Sequence, residues 1–211
     1  MTRHLVYFAD PMCSWCWGFS PVIERIGAEF ADRLGLRVLM GGLRPGTVEP
    51  MNDRDKDYVR DHWTHVQEAS GQPFDFEFFE RDNFVYDTEL ACRGVVAVRR
   101  LDESKALPFL GHVQRHFYAL NHDITDEAQL SEIAEEIEID AEAFKDSYQD
   151  IETEHETKAD IWYAQSSGVT GFPTLLAVED GKAVGAVTIG YRPWEAIHSV
   201  LEQWAAEGAV Q

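Results

Sequence analysis

The stretch Leu5-Val6-Tyr7-Phe8-Ala9-Asp10-Pro11-Met12-Cys13-Ser14-Trp15-Cys16-Trp17-Gly18 decides how the chain is read. Residues 5–9 form a short apolar run of β character that stops at the turn dipeptide Asp10-Pro11. A helix is predicted over 14–34, because Ile23, Ile26, Phe30 and Leu34 recur at helical spacing. Pro21 inside it predicts a kink, and Gly35 ends it. A second strand is predicted over 36–40, so the chain opens as strand, helix, strand, the start of a βαβ unit with a parallel pair. Both cysteines of the C-x-x-C fall on the first turn of the helix. Three residues apart, their Cα atoms come near the roughly 5–6 Å a disulfide prefers. The free N–H groups and dipole of a helix N-terminus favour a thiolate at that place. Cys13, nearer the end and more exposed, is therefore the expected nucleophile. Cys16, one turn in and buried, is the expected resolving thiol. Two other readings remain for the pair. One is a buried structural pair among Met12, Trp15 and Trp17. The other is zinc, which usually needs a second ligand pair at matching spacing, and no second C-x-x-C exists.

Outward from this stretch the chain turns helical. Helices are predicted over 54–69, 88–101, 106–120, 127–137 and, as one long element, 141–165, with almost no strand signal among them. Strands return over 174–178 and 183–189, joined at Glu179-Asp180-Gly181-Lys182, a hairpin turn signal. Pro193 then starts a closing helix over 194–206 with Ile197, Val200, Leu201 and Trp204 on one side. The plan is βαβ, a helical block, then ββα. Before the third strand stands Gly168-Val169-Thr170-Gly171-Phe172-Pro173-Thr174, whose glycines and strand-initiating proline indicate an unusual, rigid backbone.

A strand–C-x-x-C–helix start with a distant G-V-x-G-x-P before a hairpin resembles the thioredoxin fold. The helical block between the halves resembles the DsbA-like superfamily. The fuller stretch from Asp10 to Gly18, with Gly41-Gly42-Leu43-Arg44-Pro45-Gly46, is similar to its cytoplasmic FrnE-like branch of predicted protein-disulfide isomerases. The resemblance covers essentially the whole chain. It implies an α/β thioredoxin fold with an all-helical insertion: a thioredoxin-like domain from 1–50 and 165–211, and an inserted domain from 51–164. It also implies a cis Phe172–Pro173 bond in a loop facing the cysteines. Phe172, Pro173 and, from the apolar rim, Trp15 are the expected substrate contacts. On the sequence alone Pro173 is an ordinary strand-starting proline. A proline there leaves the Phe172 backbone free to pair with an extended substrate segment. One departure stands out. Many members of the fold carry a buried acid six residues before the first cysteine, and here that residue is Tyr7. Asp10 lies nearer the pair but reads as a turn-former before proline.

Composition sets the outer limits. The 211 residues carry 38 acids against 18 bases, a formal charge of −20, with 45% hydrophobic residues. Such a chain builds a core, and its charge disfavours nucleic acid and anionic membranes as partners. No apolar run nears the roughly 18 residues of a membrane span. The run after Met1 is shorter than the roughly 7–15 residues of a signal peptide's core, so the expected compartment is the cytoplasm. Three cysteines, an odd number, fit a reducing compartment better than a disulfide framework. The charge is uneven: residues 1–50 balance to zero, while 126–164 hold fourteen acids against Lys145 and Lys158. That block reads as a solvated face, or as one that selects basic clients.

Cys92 reads as a buried small hydrophobe or as a third redox thiol. Trp15, Trp17, Phe19 and Phe172 read as core, or as an apolar rim that grips unfolded segments. Arg44 is either a cation facing the site or a solvated loop residue. His112 with His116, and His62 with His65, read as solvated helix faces rather than metal ligands, so no metal site is expected. The leading function is thiol–disulfide exchange on protein or peptide disulfides, with no cofactor beyond the Cys13–Cys16 disulfide and with glutathione or another reducing partner to recycle it. Two others are a glutathione-dependent isomerase or transferase of the 2-hydroxychromene-2-carboxylate isomerase or kappa type, and a holdase-like module for unfolded chains.

Overall fold

The computed structural model describes residues 2–207. The outer limits of the two-segment division, residues 1 and 211, lie outside them. Strand β1 (Arg3–Ala9) pairs in parallel with β2 (Gly35–Met40) and antiparallel with β3 (Thr174–Glu179), which forms a hairpin with β4 (Lys182–Ile189). The sheet order is β2-β1-β3-β4. Asp180 and Gly181 both take positive φ at the hairpin turn, 49° and 77°, as a tight two-residue turn between twisted strands demands.

β1 is covered on both faces, which is why its sequence is a continuous apolar run. Leu5, Tyr7 and Ala9 join the main core with helix α1 (Ser14–Glu29), whereas Val6 and Phe8 pack with Leu39, Ala164 and Val178 on the other face. The last helix, Trp194–Glu207, buries Ile197 and Leu201 against the main core.

α1 ends five residues before the predicted Leu34. Phe30 leaves helical geometry, and its carbonyl takes the amides of Arg33 and Leu34 at 2.9 and 2.8 Å. Phe30 and Leu34 still reach the core, so the apolar period outlives the helix.

Between β2 and β3 lie α2 (Asp53–Ser70), α3 (Thr88–Leu101), α4 (Ala106–Tyr118), α5 (Glu127–Glu136), α6 (Ala141–Gln149) and α7 (Ile151–Ser166). The predicted long helix over 141–165 is two helices. Asp150 takes extended backbone (φ −64°, ψ 129°), and its carboxylate caps the Glu152 amide and pairs with Arg100 at 3.0 Å. The break turns α7 onto the sheet beside β2. A short 3₁₀ turn at Phe76–Glu80 has no counterpart in the sequence reading.

The inserted segment owes part of its acidity, in the 126–164 block and before it, to local structure. Asp87, Asp102, Asp126, Asp140 and Asp150 each cap the start of a helix or 3₁₀ turn, where carboxylates satisfy free amides and complement the dipole.

His112 and His116 are not a solvated pair. Both ring systems hold Glu136 of α5, at 2.9 and 3.0 Å, and His116 is buried and bonded Nδ1 to Nδ1 with His122 at 3.0 Å. That bond needs at least one neutral ring. Burial lowers the pKa of His116, and Glu136 opposes the shift. The unfolded chain binds the His116 proton at about pH 6.5, above where the folded state does. Stability contributed by neutral His116 is therefore full above that pH and is lost as pH falls through it. A pH series of urea melts is expected to show this slope in the wild type and a shallower one in His116→Gln. Equal slopes would refute the assignment.

Candidate active site

The C-terminal end of β1 delivers both cysteines. Cys13 is the N-cap of α1 (φ −92°, ψ 112°), and its carbonyl accepts the amides of Cys16 and Trp17 at 2.9 and 3.1 Å. All three cysteines are free thiols. Cys13 keeps a small exposed surface, 5%, while Cys16 has none. The Cys13 thiol donates to the carbonyl of Phe172, with Sγ–O 3.6 Å. The Phe172–Pro173 bond is cis, and the β1–β3 pairing of Phe8 with Thr174 holds this loop opposite the cysteines. Burial pushes the Cys16 thiol well up, and the Cys13 thiol beside it adds to the shift.

Tyr7 fills the place of the absent acid. It is fully buried, and its hydroxyl meets no partner at proper hydrogen-bond geometry; its interaction with the Cys16 thiol is a loose one. Burial first, and then both cysteines, push the Tyr7 hydroxyl well up, so it stays protonated at neutral pH.

Asp10 is more than a turn-former. Its Oδ1 does accept the Met12 amide at 2.8 Å, the short-range bond expected of Asp before Pro. Its Oδ2 reaches the Leu43 amide at 2.6 Å and the Cys92 thiol at 3.6 Å, and the side chain is wholly buried. The sequence reading missed this role, since both partners are distant in the chain.

A cavity of about 260 Å³ opens at Cys13. Trp15, Phe172 and Arg44 form one side of its wall, and Tyr58 and His62 of α2 another. Arg44 lies over the Tyr86 ring, 5.3 Å from its centroid, and the Tyr86 hydroxyl donates to the Met12 carbonyl at 2.6 Å. The aromatic rim is smaller than expected. Trp15 and Phe172 are half-buried at the cavity, but Trp17 and Phe19 are core residues, and Trp17 donates its indole N–H to the Pro73 carbonyl at 3.0 Å. His65 stays exposed on α2, away from the cavity wall.

Gly41 is a second residue whose role the sequence left unread. A Cβ there would overlap the Phe172 ring. Gly41→Ala therefore has to displace that ring or the strand end, an overpacking that costs about 1–3 kcal/mol. The expected result is at least a tenfold loss of turnover on a peptide disulfide together with a lowered melting temperature. Wild-type turnover in a folded Gly41→Ala protein would show that the ring position does not matter.

Comparison with known proteins gives this geometry its relatives. A solved structure of a candidate protein disulfide isomerase from Nitrosomonas europaea has TM-score 0.91 and 37% identity, covering 98% of this chain and 99% of the other. The cytosolic disulfide reductase DsbM from Pseudomonas aeruginosa has TM-score 0.78 and 26% identity, covering 95% and 98%. Among curated proteins, the ClpXP adapter protein SpxH of Bacillus subtilis is 28% identical over 173 residues, 80% of this chain. The chain spans only 56% of that relative's length and 65% of the corresponding Halalkalibacterium halodurans protein. Among the described residues no helix is long and apolar enough to cross a membrane. The family model for thioredoxin matches residues 7–198, and the chain belongs to that family, on the DsbA-like side of the fold with a helical insertion between its halves.

Proposed function

We propose that the chain is a thiol–disulfide oxidoreductase that exchanges the Cys13–Cys16 pair with disulfides in extended protein or peptide segments. The observation that carries this reading is the Cys13 thiol at the mouth of a cavity, 3.6 Å from the Phe172 carbonyl. A substrate strand laid along Phe172 would bring its disulfide to that sulfur. The Cys13 thiolate attacks one substrate sulfur; the substrate S–S bond breaks, and the departing thiolate takes a proton. Cys16 then gives up its proton and attacks the Cys13 sulfur. The second substrate thiolate leaves and is protonated, and Cys13–Cys16 is left as a disulfide. Two electrons have passed to the substrate, and a reducing thiol, glutathione or a protein dithiol, restores the pair. Trp15 and Phe172 supply the apolar contact for the substrate, and the reducing compartment this cycle needs is the cytoplasm.

The test is a trap. Cys16→Ser incubated with a disulfide-bonded peptide is expected to retain that peptide on Cys13 as a covalent adduct visible by mass. Absence of the adduct, with Cys13 accessible to alkylation, would overturn the reading.

The SpxH similarity favours a second reading, a protein-binding adapter that uses the same cavity without turnover. Binding that survives Cys13→Ser/Cys16→Ser would support it. A serine-based glutathione isomerase or transferase fits less well, because both cysteines stand at the cavity end of α1.

A further inference from the structure

We propose that the Asp10 carboxylate is a fixed buried anion that keeps the Cys13–Cys16 pair poised as an electron donor, a reductant rather than an oxidant. This rests on the exchange reading above and names the direction in which the exchange runs.

Asp10 is 0% exposed. Its Oδ1 accepts the Met12 amide at 2.8 Å, and its Oδ2 accepts the Leu43 amide at 2.6 Å and the Cys92 thiol at 3.6 Å. These three donors favour the charged carboxylate and oppose the burial that raises its pKa. Every donor is neutral. Among the described residues no Lys, Arg or His forms an ion pair with Asp10. The other buried acid, Asp160, shows the usual arrangement, with Arg99 Nη1 at 2.6 Å. A buried charge without a counter-ion is costly, and such sites concentrate where chemistry is done.

The anion shares a turn with the reacting sulfurs. The Asp10 carbonyl accepts the Cys13 amide at 3.1 Å, and the Asp10 amide faces the Cys16 sulfur. Cys92 takes its part here as a donor rather than as a third redox thiol. Burial and the Asp10 charge push the Cys92 thiol well up, so its proton stays on and points at the carboxylate. The titratable groups around this centre include Tyr7 at Cys16 and Tyr86 and Tyr118 from the helical block, with Arg44 over the Tyr86 ring and both Arg44 and His62 on the cavity wall at Cys13. Burial raises the three tyrosines, which keeps them neutral.

A neutral disulfide is indifferent to a nearby anion, but a thiolate is not. Reduction of Cys13–Cys16 takes up two electrons and, with its protons, yields two thiols. Any thiolate fraction in that reduced state is opposed by Asp10. Proteins that stabilise their reduced thiolate become strong oxidants; Asp10 acts in the opposite sense. Burial, the Cys13 thiol and the Asp10 charge all push the Cys16 thiol up, against the Asp10 amide.

The experiment equilibrates full-length wild type and Asp10→Asn with glutathione buffers at about pH 6, 7 and 9 and measures the oxidised fraction. The Asp10→Asn disulfide is expected to be at least tenfold easier to reduce at the highest pH, a shift of about 30 mV toward oxidant. The gap is expected to narrow toward pH 6, where the reduced pair holds less thiolate for a nearby charge to act on. Equal equilibria at every pH would overturn the proposal, and so would a gap that does not change with pH, which marks a packing effect. Asn also places an NH₂ against one of two amide donors, so the variant's fold is a separate question. A second measurement needs no Asp10 variant: in Cys13→Ser, the Cys16 thiol is expected to react with an alkylating agent only above the ordinary thiol range of about pH 8.5, and a Cys16 that ionises at or below it overturns the proposal. A wild type that forms no Cys13–Cys16 disulfide in any buffer would instead sink the exchange reading.

Discussion

Cys13→Ser is expected to bring dithiothreitol-coupled insulin reduction down to the uncatalysed rate, while the protein stays folded. A serine hydroxyl has the same reach but negligible nucleophilicity towards sulfur, because the thiolate is the reacting species. The substitution removes one buried atom's chemistry and no packing of consequence, so circular dichroism and melting temperature should stay near wild type. Cys16→Ser should behave differently. Its first attack is intact, and resolution is lost, so it should form the mixed disulfide in one turnover and then stall. This asymmetry distinguishes exchange from adapter binding, in which both variants would act alike. Wild-type turnover in Cys13→Ser would remove Cys13 from the reaction altogether.

The parts of this site that sequence could show are those set by short range. The first strand, the C-x-x-C at a helix start and the G-V-x-G-x-P before a hairpin are local patterns, and their elements appear where they were predicted to within a few residues. Helix ends were less legible. Phe30 to Leu34 keeps the apolar period in a non-helical turn, and the break at Asp150 depends on one side chain choosing a cap over a helical turn. What escaped was long-range pairing. Asp10 reaches Leu43 and Cys92, Gly41 yields space to Phe172, and His116 meets His122 and Glu136. Nothing in the neighbouring residues announces these partners. In retrospect an acid three residues from a cysteine pair carried a signal, but the Asp-Pro turn explained it too readily.

The inserted helices do more for the site than carry charge, and Trp63 of α2 tests that. Its ring is fully buried amid Phe74, Phe78, Phe79, Phe117 and Tyr118, with centroids between 4.8 and 5.9 Å. It also lines the cavity at Cys13, so one side chain belongs both to the core of the insertion and to the substrate wall. Trp63→Ala should cost about 3–5 kcal/mol, the transfer term plus the void left behind. For a chain of this size that corresponds to a melting-temperature fall of roughly 10 °C. The Trp63 indole N–H has no hydrogen-bond partner, so Trp63→Phe gives up ring volume without breaking a polar bond. It should cost clearly less than the alanine variant. Turnover separates the two roles of the residue. If the insertion shapes the cavity, Trp63→Phe should raise the KM for peptide disulfides more than it lowers kcat, because binding is lost while the Cys13 sulfur and its surroundings persist. Unchanged KM in a destabilised Trp63→Phe protein would confine the insertion to a structural part.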